Sequence, residues 1–267
     1  MDWPTGLLGF AAGLLISVAT APVGVSGAVF LLPVQVSVLG VPSPAVTPTN
    51  LLYNVVAGPG ALLRHHRAGT LRGPLTRLLG LGTVPGVVVG AVIRVFAVPG
   101  PSVFRLLIAV LLLPLGGWLC LRTLRRASRT APAREPSSRA VTRLAMAVGV
   151  AGGIYGIGGG SLLGPVLVGR GMPVAKVAPA ALAATFVTSV VGAGTYALLS
   201  LSVTGDIAPY WSLGLACGLG GLCGGYLRAV PQSLPGARRQ LRRLAALSER
   251  PNTSGMRTSL RLAMHRI

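Results

Sequence analysis

Apolar residues are grouped along the chain in segments separated by short polar breaks or by glycine and proline. The segments are 6–22, 24–40, 45–63, 76–97, 103–121, 144–156, 158–169, 177–200 and 207–227. Several approach the roughly 20 residues that an α-helix needs to cross the hydrocarbon of a bilayer. The pattern therefore predicts an all-α integral membrane protein, a polytopic helical bundle of about eight or nine hydrophobic segments.

The longer polar stretches divide the chain into four parts. Residues 1–121 form a first transmembrane repeat, and residues 122–143 form a basic linker. Residues 144–230 form a second transmembrane repeat, and residues 231–267 form an arginine-rich polar tail. No window of the tail is apolar enough to span a membrane. The sequence therefore predicts that the second repeat lacks its last helix, the counterpart of 103–121.

Two stretches of the apolar pattern are nearly the same. Residues 24–33 read GVSGAVFLLP, and residues 156–165 read GIGGGSLLGP. Further landmarks recur in the same order: Pro42 and Pro173, Thr49 and Thr185, Gly58 and Gly194, Gly90 and Gly224, Arg94 and Arg228. The chain is therefore an internal duplication. Glycine clusters inside apolar segments predict broken or re-entrant helices, and in transporters built from two repeats such breaks meet at the binding site.

Charge orients the two repeats. The loop 64–72 holds three arginines, whereas its counterpart 200–206 holds no basic residue. Cytoplasmic loops carry an excess of lysine and arginine, so these equivalent loops lie on opposite sides of the membrane. The repeats therefore have inverted topology. The linker 122–143 is placed in the cytoplasm, and the predicted location is the inner cell membrane, crossed several times.

The net charge of +20 raises the possibility of nucleic-acid binding. The arginines lie in the loop, the linker and the tail beside apolar segments, as the positive-inside rule describes. A basic face on a folded soluble domain, which nucleic-acid binding requires, is missing. Nucleic acid is therefore excluded as a partner.

The glycine breaks are the candidate binding site. The half-helix after a break begins with free backbone N–H groups and a partial positive charge, which suit an anion. The second cluster contributes Gly158, Gly159, Gly160 and Ser161, and the first contributes Gly24, Ser26 and Gly27. Two pairs of polar residues, each four residues apart on one helical face, are predicted to line the path: Asn50 with Asn54 and Thr185 with Ser189.

Other chemistries find no support in the sequence. No Asp, Glu or His lies within a predicted span, which disfavours a proton relay or a cation site built on a carboxylate. The three cysteines lack metal-ligand spacing, and no catalytic motif occurs in a supporting context. The sequence therefore predicts neither an enzyme nor a cofactor nor a metal site.

The duplicated motif resembles the signature of the TauE/SafE family, the sulfite exporter-like membrane permeases. The second copy carries it in 156–160, Pro165 and 173–178, and the first copy carries it in 24–33, Pro42, 45–46 and 49–51. The resemblance implies a permease that moves sulfite or an organosulfonate-like anion by alternating access. Ser26 and Ala28 stand where the family usually has glycine, so the second copy is the better candidate for holding the anion.

A second function remains open at this point. Because the last helix is predicted to be missing, the chain could be a non-transporting membrane partner or assembly subunit derived from a permease. The expected partners are a small anionic substrate and the lipid bilayer, and a homo-oligomer is compatible with the sequence.

Overall fold

The computed structural model describes residues 3–20, 26–71, 73–98, 100–125, 137–203, 205 and 207–229. Within these ranges the chain forms nine α-helices and no strand. They are α1 (Trp3–Thr20), α2 (Ala28–Ser37), α3 (Val46–Arg67), α4 (Pro74–Phe96), α5 (Pro101–Arg125), α6 (Ser138–Tyr155), α7 (Gly159–Gly169), α8 (Val174–Ser202) and α9 (Trp211–Ala229). The predicted all-α architecture is confirmed.

Three described helices, α1, α4 and α8, are long and apolar enough to cross a membrane. Large apolar side chains on several helices are exposed, and they include Leu15, Leu81, Leu106, Leu113, Leu198 and Leu201. A soluble monomer rarely exposes apolar surface on this scale, whereas a lipid environment favours it. The exposed side chains therefore agree with an integral membrane protein.

The helices around the predicted linker are longer than their apolar segments. α5 continues to Arg125, and α6 begins at Ser138, where the Ser137 hydroxyl accepts a hydrogen bond from the Ala140 N–H at 3.4 Å. A serine at this position is a favourable helix N-cap, because it satisfies one of the free N–H groups. The first polar turns of α6 therefore belong to the helix, although the sequence analysis assigned them to the linker. Residues 126–136 and the tail 231–267 lie outside the described residues.

Two helices are too short to cross a bilayer. α2 has 10 residues and α7 has 11. At a rise of about 1.5 Å per residue, each spans roughly half of the ~30 Å hydrocarbon layer. In the second repeat the break before α7 is made by Gly156 and Gly158, whose φ angles of 74° and 73° lie in a region that L side chains rarely adopt. A short helix is therefore present in both repeats, and the glycine break is described in the second; residues 21–25 of the first break lie outside the described residues.

The packing of the helices repeats between the halves. Gly86 and Gly90 of α4 lie against the carbonyl oxygens of Met146 and Val150 on α6. The equivalent glycines of α9, Gly220 and Gly224, lie in the same way against Phe10 and Leu14 of α1. The fourth helix of each repeat thus packs on the first helix of the other, and both pairs are parallel. Such an exchange is what two repeats related by a pseudo-two-fold axis produce.

The third helices of the two repeats, α3 and α8, pack against each other. Leu51 of α3 contacts Gly192 of α8, and Gly58 of α3 contacts Phe186 of α8. The residue number rises along α3 while it falls along α8, so the two helices are antiparallel. This crossing brings the two glycine breaks to one region of the bundle.

Candidate anion-binding site between the glycine breaks

The second glycine cluster lies against α8. Cβ atoms placed on Gly158 would lie 2.7 Å from Thr185 Cγ2 and 3.1 Å from Ser189 Oγ. The N–H of Gly159 donates to Thr188 Oγ1 at 3.1 Å, so a hydroxyl of the neighbouring helix caps α7. Gly160 lies directly on the carbonyl oxygen of Ala181, where no larger residue fits. Glycine at these positions therefore allows the start of α7 to approach the hydroxyl groups of α8.

The first glycine cluster lies in the same way against α3. The Ser26 hydroxyl donates to Asn54 Oδ1 at 2.5 Å, and Asn50 Nδ2 donates to the Ala28 carbonyl at 2.9 Å. A Cβ placed on Gly27, the N-cap of α2, would lie 2.6 Å from the Tyr53 hydroxyl. The start of each short helix thus contacts polar side chains on the third helix of its own repeat. Gly24 lies outside the described residues.

The crossing of α3 and α8 places Asn54 and Ser189 at the same level. The Leu51–Gly192 contact lies on one side of them, and the Gly58–Phe186 contact lies on the other. Asn54 is bonded to Ser26 next to the first break, and Ser189 lies beside Gly158 in the second break. The structure therefore brings the described part of the first glycine cluster, the second cluster and both predicted polar pairs into one region.

Several polar atoms in this region are buried without a hydrogen-bond partner among the described residues. They are Asn50 Oδ1, Asn54 Nδ2 and Ser189 Oγ. A buried polar group that makes no hydrogen bond costs about 1–3 kcal/mol of folding free energy. Unsatisfied groups of this kind mark a place where a ligand or water completes the site.

Not every predicted hydroxyl can donate to a ligand in this conformation. The Ser161 hydroxyl donates to the Ile157 carbonyl at 2.6 Å, and the Thr185 hydroxyl donates to the Ala181 carbonyl at 3.0 Å. The Thr185 proton is therefore engaged within α8, and the Ser161 proton is engaged by a carbonyl of the break before α7. The available donors at the centre are therefore Asn54 Nδ2 and Ser189 Oγ.

Three residues that were not chosen as site residues from the sequence are polar or charged and fully buried in the structure. Thr188 caps α7, Gln35 is fully buried in α2, and Arg94 is fully buried in α4. In the sequence, Arg94 was identified only as the counterpart of Arg228 in the other repeat. Its position inside an apolar segment was a usable signal, because an ionisable residue within a membrane span marks a functional site by default.

Comparison with known proteins agrees with this architecture. The chain matches the family described as sulfite exporter TauE/SafE over residues 8–247, which includes all of α2 to α9 and most of α1. No curated protein and no solved structure matches the chain. Since the family match covers nearly the whole sequence, the chain belongs to the sulfite exporter TauE/SafE family.

Proposed function

We propose that the protein is a multi-pass permease of the inner cell membrane that exports sulfite or an organosulfonate-like anion by alternating access. The observation that carries the proposal is the pair of buried donors without partners, Asn54 Nδ2 and Ser189 Oγ, between the two glycine breaks. Membership of a sulfite exporter family supports the same class of substrate.

Neutral donors would bind the anion. Ser26 holds the oxygen of the Asn54 amide, which leaves the amide nitrogen to donate two N–H groups to an oxyanion. The Ser189 hydroxyl would donate from the opposite helix. The positive end of the α7 dipole, whose first N–H is capped by Thr188, adds favourable potential beside Ser189. A site without a fixed cation binds a small anion weakly enough to release it on the other side.

The described conformation closes the site. Asn54 is 3% exposed and Ser189 is fully buried. For an anion to enter or leave, α3 and α8 would have to separate at the Leu51–Gly192 contact or at the Gly58–Phe186 contact. These contacts lie on opposite sides of the site along the antiparallel pair. Opening one while the other stays closed would give access from one side at a time, as inverted repeats allow.

Charge supports the orientation of the permease in the membrane. α3 ends at Arg67, and Arg77 lies in the first turn of α4. The loop between α8 and α9 contains no basic residue. The positive-inside rule places the first loop in the cytoplasm and the second outside. The beginning of α3 and the end of α4 would then face the exterior.

The proposal is tested by transport in proteoliposomes that contain the purified full-length chain. Liposomes loaded with radiolabelled sulfite are diluted into buffer, and efflux is followed with and without unlabelled sulfite outside. We expect saturable efflux that external sulfite accelerates by exchange, with sulfoacetate tested in parallel. Efflux of both anions at the rate of protein-free liposomes would contradict the proposal and favour the non-transporting membrane partner.

A further inference from the structure

A cavity of about 340 Å³ lies between α2, α3 and α5. It lies at the end of these helices that the positive-inside rule places outside the cell. Its walls come from the α2–α3 loop and from the beginnings of α3 and α5. Val41, Val46 and Phe104 are among the apolar residues that line it, and Ser43 and Arg105 are its polar side chains. Arg105 is exposed and contributes a guanidinium group to an otherwise mainly apolar wall.

A second arginine lies behind this wall. Arg94 of α4 is fully buried, and its guanidinium carbon lies 4.0 Å from the centroid of the Phe104 ring. The same group donates to the Val98 carbonyl, to Ser43 Oγ and, from Nε at 3.4 Å, to Thr47 Oγ1. All of these acceptors are uncharged. A buried cation held by neutral groups raises the electrostatic potential of its surroundings, because the low dielectric screens it little.

Ser43 connects Arg94 with the cavity. Its oxygen accepts a hydrogen bond from Arg94 Nη2, and its side chain lines the cavity. A hydroxyl that accepts from a cation keeps its own proton free to donate, and it donates more strongly because hydrogen bonds in a chain polarise one another. This proton has no hydrogen-bond acceptor among the described residues. Ser43 therefore offers a polarised donor to a molecule in the cavity.

We propose that this cavity is a second anion-binding site, in which Arg105 and Ser43 bind a small oxyanion and Arg94 supplies positive potential from behind. Arg105 would contact the anion directly, as a charge-assisted hydrogen-bond donor. Arg94 acts through Ser43 and is a positioning residue. The outer site is distinct from the central pair Asn54 and Ser189. The identity of its anion rests on the proposed function, and the site would receive sulfite at the external end of the path.

The test is equilibrium dialysis of radiolabelled sulfite against the purified full-length protein in detergent without phospholipid. We expect two sulfite ions per chain for the unmodified protein. Arg105→Gln should weaken one of them about tenfold or more, since a charge-assisted hydrogen bond is lost, and Ser43→Ala should weaken the same one. Arg105 is exposed, so its replacement should leave the fold intact, which a thermal melt verifies. Arg139→Gln, at an exposed arginine of α6, is the matched control and should leave both ions bound.

The outcomes separate this proposal from the proposed function. Loss of one ion on Arg105→Gln, while Asn54→Leu with Ser189→Ala removes the other, supports both sites. If one sulfite ion binds per chain and only Asn54→Leu with Ser189→Ala removes it, the outer site is overturned and the proposed function stands. If one sulfite ion binds per chain and only Arg105→Gln weakens its binding, the outer site is supported and the central site is contradicted.

The same oxyanion chemistry could come from a lipid phosphate. Dialysis is therefore repeated with the protein in nanodiscs of phosphatidylglycerol and of phosphatidylcholine. Equal sulfite binding in both supports a site for small free anions. Loss of the ion that depends on Arg105 in phosphatidylglycerol alone would identify the lipid headgroup as the occupant and overturn the proposal.

Discussion

Replacing Asn54 by leucine and Ser189 by alanine together is expected to lower sulfite efflux at least about 100-fold. Each substitution removes one donor to the anion, and a hydrogen bond to a charged group contributes about 1.5–3 kcal/mol. Two such losses multiply to about two orders of magnitude or more in rate or occupancy. Efflux from proteoliposomes measures the effect.

Stability distinguishes a binding role from a structural one in this variant. Ser189 Oγ has no partner among the described residues, so Ser189→Ala alone should leave the thermal unfolding midpoint nearly unchanged or raise it. Asn54→Leu also removes the acceptor of the Ser26 hydroxyl and should cost about 0.5–1.5 kcal/mol of folding free energy. Thr195→Val on α8 is the matched control, because the Thr195 hydroxyl is bonded within its own helix to the Val191 carbonyl at 2.8 Å. It should transport normally. Lost transport in Ser189→Ala together with a clearly lowered midpoint of that single variant would contradict the binding role.

Gly86→Ala is expected to destabilise the protein strongly, whereas Gly80→Ala in the same helix is not. A Cβ on Gly86 would overlap the Met146 carbonyl oxygen, which α6 holds in place and which cannot rotate away. Overpacking typically costs about 1–3 kcal/mol, and a clash with fixed backbone lies at the upper end. Gly80 has no atom within 4 Å of its added Cβ, and alanine favours a helix over glycine by about 1 kcal/mol.

Thermal unfolding in detergent measures the two variants side by side. The equivalent substitution Gly220→Ala in α9, which meets the Phe10 carbonyl, should lower the midpoint as Gly86→Ala does. Equal midpoints for Gly86→Ala and Gly80→Ala would contradict the close approach of α4 and α6. A normal midpoint for Gly220→Ala alone would contradict the equivalence of the two helix pairs.

The helices could be predicted largely from the sequence, because a membrane span is encoded in local apolar runs. All nine predicted segments correspond to helices in the described residues. Helix ends were less predictable where polar residues continue a helix out of the apolar layer. The first turns of α6 show this, since Ser138 and Arg139 are exposed and carry no apolar signal. Cap contacts such as Ser137 with Ala140 decide such ends.

Candidate site residues could be chosen from the duplicated glycine clusters and from the polar pairs Asn50 with Asn54 and Thr185 with Ser189. Which hydroxyl is free could not be predicted, because that depends on backbone contacts that the pattern does not encode. Ser161 and Ser189 are equally polar in sequence, yet Ser161 donates to Ile157 and Ser189 has no partner among the described residues. Likewise, the spacing of residues does not predict that Arg94 of α4 contacts Ser43, in the loop before α3, and Phe104, in α5.

The most direct test of the central claim is to locate a bound anion. Selenite has the same shape and charge as sulfite, and its selenium scatters anomalously, so crystals of the full-length protein grown with selenite can reveal it. An anomalous peak within hydrogen-bonding distance of both Asn54 Nδ2 and Ser189 Oγ is the predicted result. Selenite that is transported in proteoliposomes but gives no peak between the two glycine breaks would contradict the account.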